Sequence, residues 1–337
     1  MAFHWLPRSR LASGIRRCSI RDMHSLPPEL LTGPFLRGTA RDLGITDRML
    51  QGSRFVRIHP RVWRHRDLEV TEVDRVAAAM LAMPDRALLT GISRIRALGL
   101  DFGARQPLRF VIEGDHHLAL DGIFLHRTKK LPPADGRMVT PAAAYLSYVA
   151  RARVIDAIKV GDWLLHHGHM TRAELRDLAL GALWRDGAHE AIWLLDHLDE
   201  RSRSLKESET RAMLTFSGLD RPESNGALDV GGVILTPDLL YRKWGPLALE
   251  YEGTQHQLDR TQYVSDIDRY ELYRNAAIPY VQITNEKLAQ PRRLVLDVHR
   301  ALAARGYDGP APTFGERWLL LFARVSTAVG PRQPVQR

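Results

Sequence analysis

One stretch limits this chain more than any other. It runs Thr236-Pro237-Asp238, then Leu247-Ala248-Leu249-Glu250-Tyr251-Glu252-Gly253, then His256. Val233 to Tyr241 and Leu247 to Tyr251 are rich in β-branched and aliphatic residues, and Arg242-Lys243-Trp244-Gly245-Pro246 between them supplies turn formers. The pattern predicts a β-hairpin. Side chains alternate faces along a strand, so Glu250 and Glu252 share a face and Asp238 on the partner strand can fall opposite them. Leu247, Leu249 and Tyr251 make the other, apolar face. Ionised acids this close repel one another, and without a cation one of them takes up a proton. Hard oxygen ligands suit magnesium or manganese. Asp238 and Glu250 are therefore candidate metal ligands. The plainer alternative is a solvent face decorated with acids, but a helical flank is expected to cover the face of Ala248, Glu250 and Glu252.

Pro237-Asp238, eleven intervening residues and then Glu250-x-Glu252 resembles the PD-(D/E)xK nuclease core. The closer likeness is to a branch grouped with the very-short-patch-repair (Vsr-type) endonucleases, whose members carry E-Y-D-G-x-x-H followed by a D-x-x-R helix. Here those motifs are Glu250-Tyr251-Glu252-Gly253-Thr254-Gln255-His256 and Asp266-Ile267-Asp268-Arg269, and upstream Glu207-Ser208-Glu209-Thr210-Arg211 matches the family's E-S-x-x-R helix. The likeness covers about residues 201 to 305. Two positions depart from it: Glu252 stands where the general motif has lysine, and the family's usual aspartate there is lengthened to glutamate. The resemblance implies a restriction-endonuclease-like core of helix, three strands, helix, strand and helix. It also implies catalytic roles for Asp238, Glu250, Glu252 and His256, with Glu207 as an extra acid near the metal. Each has a plainer reading. Glu207 suits the first turn of a helix, His256 can simply pack at a turn, and Asp266 with Arg269 can be a surface ion pair.

The net charge of +9 is placed unevenly. Residues 1 to 66 hold thirteen Arg against four acids, and the rest of the chain balances at 35 and 35. A basic surface confined to one small segment points to a polyanion partner. A single cysteine, Cys18, excludes an internal disulfide framework and fits a reducing cytoplasm. No apolar run approaches the roughly 20 residues of a membrane helix. Residues 1 to 25 are expected to be a disordered basic leader, with Met23 as an alternative start.

Residues 26 to 68 carry the charge and the pattern of a winged helix. Thr39 to Leu43 predicts a short helix stopped by Gly44, and Thr46 caps a second over Asp47 to Gly52. Phe55 to Ile58 and Val62 to Arg64 read as wing strands around His59-Pro60-Arg61. The segment resembles the N-terminal winged-helix domain of AbiEi-type antitoxins, in Ala40-x-x-Leu43-Gly44-Ile45 and Arg61-Val62-Trp63-Arg64, with Arg61 standing where that family usually has glycine. On this reading Arg48, Gln51 and Arg54 face a DNA groove, and Arg57, Arg61 and Arg64 meet phosphate. The plainer reading is a solvated basic face.

Residues 69 to 200 are expected to be a mixed α/β region similar to the middle of AbiEi-like chains. It would contain helices over Val70 to Met83 and Thr171 to Gly181, a strand over Leu108 to Ile112, and a hairpin of Leu118 to Leu120 with Ile123 to His126 about Asp121-Gly122. Its histidines, His116-His117 and His166-His167-x-His169, read as surface residues, and no chemistry is legible in it. Residues 201 to 306 would be the nuclease-like domain and 307 to 337 a tail. The fold class is thus mixed α/β in several domains. DNA, a second copy of the chain and a cognate toxin are the expected partners, with no membrane. The function expected is metal-dependent cleavage of DNA, and its rival is an antitoxin or transcriptional regulator in which the nuclease fold is only a scaffold.

Overall fold

The computed structural model describes residues 26–252 and 270–330. The chain is a mixed α/β protein with two compact units, one reaching Pro84 and one starting at Asp85. Among the described residues no helix is long and apolar enough to cross a membrane.

The first unit opens with a single turn at Pro28–Leu30 and a short strand, β1 (Phe35–Leu36). Helix α1 (Arg37–Asp42) ends at Gly44, whose φ of 83° is a left-handed turn that glycine adopts without strain. Helix α2 (Asp47–Leu50) follows, capped by Thr46, whose hydroxyl accepts from the amide of Met49. Strands β2 (Phe55–His59) and β3 (Val62–His65) form an antiparallel ribbon, and β1 pairs with β3 to give the order β1-β3-β2. Leu30, Phe35, Ala40, Ile45, Leu50 and Phe55 fill the core. Helix α3 (Glu72–Ala82) starts with a full capping box between Thr71 and Asp74 and packs on β1, β2 and β3. The sequence reading assigned this helix to the middle region. Its small apolar face of Ala78, Ala79 and Ala82 instead closes the three-stranded sheet, and the chain divides after Pro84, not after residue 68.

The second unit begins with a five-stranded sheet in the order β6-β5-β4-β8-β7. Its strands are β4 (Leu88–Leu89), β5 (Leu108–Glu113), β6 (Ile123–Thr128), β7 (Ala134–Asp135) and β8 (Met138–Val139). The hairpin expected about Asp121-Gly122 does not form. That turn makes one bridge, Leu120 to Ile123, and β6 runs parallel to β5 from Leu108↔Ile123 to Glu113↔Thr128. The apolar positions of β6 find a better partner in the buried strand β5 than in Leu118 to Leu120. Helices α4 (Gly91–Arg96), α5 (Pro141–Val149), α6 (Val154–His166), α7 (Arg172–Leu180), α8 (Ala188–Leu194) and α9 (Leu205–Phe216) build the body. The expected capping box of Thr171 and Glu174 opens α7.

No break separates this body from the C-terminal sheet. One core runs from Leu88 through α5, α6 and α9 to Leu249, Val298 and Trp318. Residues 201 to 205 are therefore not a linker: α9 lies against α6, and the Arg211 guanidinium meets the Asp162 carboxylate at 2.6 Å, both side chains at most 2% exposed. The expected tail is also partly core. Trp318 and Leu321 of the amphipathic helix Glu316–Phe322 are buried, and Val154 donates to the carbonyl of Ala323.

The C-terminal sheet has the order β14-β13-β12-β9, from β9 (Glu223–Ser224), β12 (Leu239–Tyr241), β13 (Leu247–Tyr251) and β14 (Tyr280–Ile283). β13 is antiparallel to β12 and parallel to β14. Residues 270–275 are helical, and helix Pro291–Ala303 follows β14. The single strand expected over Val233 to Tyr241 is split. β10 (Leu228–Val230) and β11 (Val233–Leu235) form a separate hairpin about Gly231-Gly232, and β12 starts only after Pro237, which has no amide to donate to a ladder.

Candidate functional site

Pairing across the C-terminal sheet decides which acids meet. β12 and β13 pair Leu239↔Leu249 and Leu240↔Ala248, so the next step outward sets Asp238 opposite Glu250. Opposite side chains in such a pair have Cβ atoms about 5 Å apart. Two hydrogen bonds fix Asp238. Its Oδ2 accepts from the amide of Tyr251 at 2.7 Å, and its carbonyl accepts from the amide of Asn225 at 3.0 Å. In β14 Gln282 pairs with Glu250. The sheet thus carries a polar row of Gln282, Glu250, Asp238 and Asn225 on one face.

Beside this row the same face is apolar. Leu240, Ala248, Leu228 and Val230 pack with Tyr273 from the helical residues 270–275, while Leu239, Tyr241, Leu247 and Leu249 face the main core. The helical cover expected over the acids is present in Tyr273. Glu250 is only 3% exposed, and its Oε1 accepts from the Tyr273 hydroxyl at 2.8 Å. Glu252 lies just past β13, half-buried, its amide donating to the carbonyl of Ile283.

Glu207 reaches the row from α9. It is buried in the first turn, where its amide donates to the Ser204 cap, and its Oε2 accepts from Asn225 Nδ2 at 2.6 Å and from the amide of Arg203 at 2.9 Å. Burial first, and the charge of Asp238 second, raise its pKa above the ordinary glutamate value. The pattern therefore joins Asp238, Glu250 and, through Asn225, Glu207. His256, Asp266 and Arg269 lie outside the described residues.

Asp238 and Glu250 are hard oxygen donors on one face, which is the kind of donor set magnesium or manganese takes. Magnesium is commonly held by one or two carboxylates while it keeps several waters. Among the described residues no three His, Cys, Asp or Glu side chains converge into a fuller cage. The pair fits a cation that keeps much of its hydration.

The candidate DNA contacts are all in the first unit. Arg48 on α2, Gln51 at its end, Arg54 before β2, Arg57 on β2 and Arg61 at the ribbon tip are exposed. Arg61 holds φ 65°, the left-handed conformation that glycine adopts most readily. Arg64 has partners within the chain. Its Nη1 donates to the carbonyls of His65, Arg66 and Leu68 at 2.9, 2.7 and 3.0 Å, which holds the end of the ribbon. Asp47 engages two further arginines. Arg37 reaches it through Nε at 2.7 Å and Nη2 at 2.5 Å, and Arg41 also binds it. These hydrogen bonds, Arg37's first, hold Asp47 well below the usual carboxylate range.

Sequence reasoning missed Asn225, Tyr273 and Gln282. Each meets the acids only through strand pairing or helix packing, and none carries a motif of its own. No protein family, no curated protein and no solved structure matches the chain.

Proposed function

We propose that this chain binds duplex DNA through its first unit and cleaves phosphodiester bonds at the acidic face of its C-terminal sheet. The observation that carries the reading is the register that sets Asp238 against Glu250, with buried Glu207 reaching the same row. Asp238 and Glu250 would hold the divalent cation through their carboxylate oxygens. When bound, that cation polarises the scissile phosphate and lowers the pKa of bound water. The Tyr251 amide and the Tyr273 hydroxyl fix one oxygen of each acid and so orient them. Glu207, with its raised pKa, is less readily ionised than an ordinary glutamate, which limits repulsion of Asp238. Glu252 or His256 takes the proton from the attacking water.

Delivery to DNA falls to the arginines. Arg48, Gln51 and Arg54 lie on and just after a single-turn helix, so they read the groove, and Arg57 and Arg61 on the ribbon neutralise phosphate. The winged-helix and nuclease resemblances support this division. A cytoplasmic setting suits both a DNA partner and the single cysteine.

A second reading, a regulator or antitoxin with a non-cleaving scaffold, is favoured by Glu252 at the usual lysine position and by the bonds already made to both acids. One assay separates the two. Full-length protein is incubated with supercoiled DNA and magnesium, manganese or EDTA. Nicking with either metal, lost in EDTA and in both Asp238→Asn and Glu250→Gln, is expected. Intact DNA with every metal, from protein that still binds duplex, overturns cleavage in favour of the scaffold reading.

A further inference from the structure

The middle region holds a second site. An open cleft of about 820 Å³ lies between β5, β6, the end of α5 and the loop after α7. Two arginines from separate elements approach one ring there. Arg109 of β5 has its Cζ 5.3 Å from the centre of the Phe124 ring, and Arg151, just past α5, has its Cζ 5.8 Å from the same centre. Neither guanidinium has a hydrogen bond or an ion pair among the described residues.

The other charged groups of the cleft are differently disposed. Arg127 is paired with Asp115, Arg153 with Asp156 at 2.7 Å, Arg185 donates to the carbonyls of Lys130 and Leu131, and Lys129 lines the cleft as an exposed cation. Asp186, on the rim, lies near His126. Arg109 and Arg151 are thus two like charges beside one ring, in a cleft whose carboxylates, Asp156 and Asp186, make no ion pair with either guanidinium among the described residues. Burial and the charge of Arg151 both push the Arg109 pKa down, which is the cost of that juxtaposition in a half-sheltered place. An anion that both guanidiniums can fork onto removes the conflict, and phosphate oxygens match the fork.

The cleft is far larger than one phosphate needs. Its volume lies within the roughly 300–1,000 Å³ of small-molecule sites. Its walls also offer aromatic surface, with Phe124 38% and Trp184 52% exposed and the Arg185 guanidinium over the Trp184 ring at 4.3 Å. Large aromatics exposed within a concave, basic site suit a ligand that has both a planar ring and a phosphate. We propose that this cleft binds a nucleotide unit, with its phosphate on Arg109 and Arg151 and its base against Trp184. The inference is independent of the acidic face.

Isothermal titration calorimetry on the full chain in EDTA tests it, with adenosine 5′-monophosphate, a short oligothymidylate and inorganic phosphate as probes. Arg151→Ala is expected to weaken nucleotide binding roughly 10- to 100-fold, as for loss of a charge-assisted contact. Arg109→Ala should do the same, and Trp184→Ala should cost roughly fivefold or more. Arg151 and Trp184 are exposed, so unchanged melting curves for their variants keep the result interpretable even if Arg109→Ala folds poorly. Monophosphate binding lost in the arginine variants supports a free nucleotide, and oligothymidylate binding lost in them supports a strand. No binding of any probe, or binding unchanged by Arg151→Ala, overturns the site. Phosphate binding as tightly as the monophosphate, with Trp184→Ala silent, overturns the nucleotide assignment.

Discussion

Replacing Asp162 by asparagine should damage both lobes of the second unit at once. The carboxylate is fully buried on α6, its Oδ2 accepts from Arg211 of α9 at 2.6 Å, and its Oδ1 accepts from the amide of Asp199 at 2.7 Å. Removing one partner of a buried pair leaves the other charge stranded and costs about 3–5 kcal/mol. Here Asp199 remains 3.9 Å from Arg211, and the carbonyl of His197 still accepts from Nη1 at 3.0 Å, so the lower end applies. A loss of about 3 kcal/mol corresponds to a drop of about 6–12 °C in melting temperature for a unit of this size. Urea unfolding of Asp162→Asn at neutral pH measures the loss, with tryptophan fluorescence and far-UV circular dichroism as separate probes. Both probes should shift together, because one core spans the pair. Pairing the change with Arg211→Met should recover much of the loss, since the guanidinium left stranded by Asp162→Asn is then gone. A loss under about 1 kcal/mol would refute the argument, as would a C-terminal transition unmoved by Asp162→Asn.

Arg61→Gly should stabilise the first unit by about 0.5–1 kcal/mol, because the left-handed φ of 65° strains any residue with a Cβ, less the extra entropy glycine loses on folding. Thermal melting reads this, and a destabilised variant would count against the tip conformation. The His197 ring, tilted against Trp193 with centroids 4.3 Å apart, has its pKa lowered to about 4, chiefly by burial. Its unfolded value is about 6.5, so its contribution is complete above pH 6.5 and declines as pH falls toward 4. Discounted for partial exposure, this is about 1–2 kcal/mol between pH 6.5 and 5. His197→Phe should flatten that slope in urea titrations, and an unchanged slope would exclude His197 as its source. Manganese at about 100 times its dissociation constant should stabilise the full chain by about 2.7 kcal/mol and leave Asp238→Asn unaffected. Differential scanning calorimetry reads it, and equal shifts in both proteins would place the cation elsewhere. Arg57→Ala should weaken binding to all duplexes alike and reduce the salt slope by about 1. Fluorescence anisotropy across a salt series checks it, and an unchanged slope would remove Arg57 from the phosphate contacts.

Local signals were readable in the chain where the chemistry is local. The Thr46 cap, the Gly44 turn and the Thr171–Glu174 capping box need only neighbours within a few residues, and all three occur as read. The opposition of Asp238 and Glu250 was also accessible, because strand periodicity and a short turn fix the register between them. What escaped depends on distant partners. Nothing near Ile123 announces that β6 will join β5 in parallel, and nothing in Arg211 says that its carboxylate lies on α6. The cleft needs Arg109 and Arg151 to approach Phe124, and three separate segments carry no joint pattern. Pro237 was the exception: its missing donor was visible and was enough to predict the break in the strand, yet the apolar run around it masked it.

The core that runs from Leu88 to Trp318 has a consequence for descent. A lobe with its own interior can be copied between genes and keep its shape, since little is lost at the cut. A crossover near residue 201 in this chain would leave Arg211 without Asp162, and α9 without the face of α6 that covers it. Recombination at that point is therefore selected against by folding alone, whatever each half does. The acidic sheet and its helical neighbour should therefore be exchangeable only as one block, and the two should vary together where their side chains interlock.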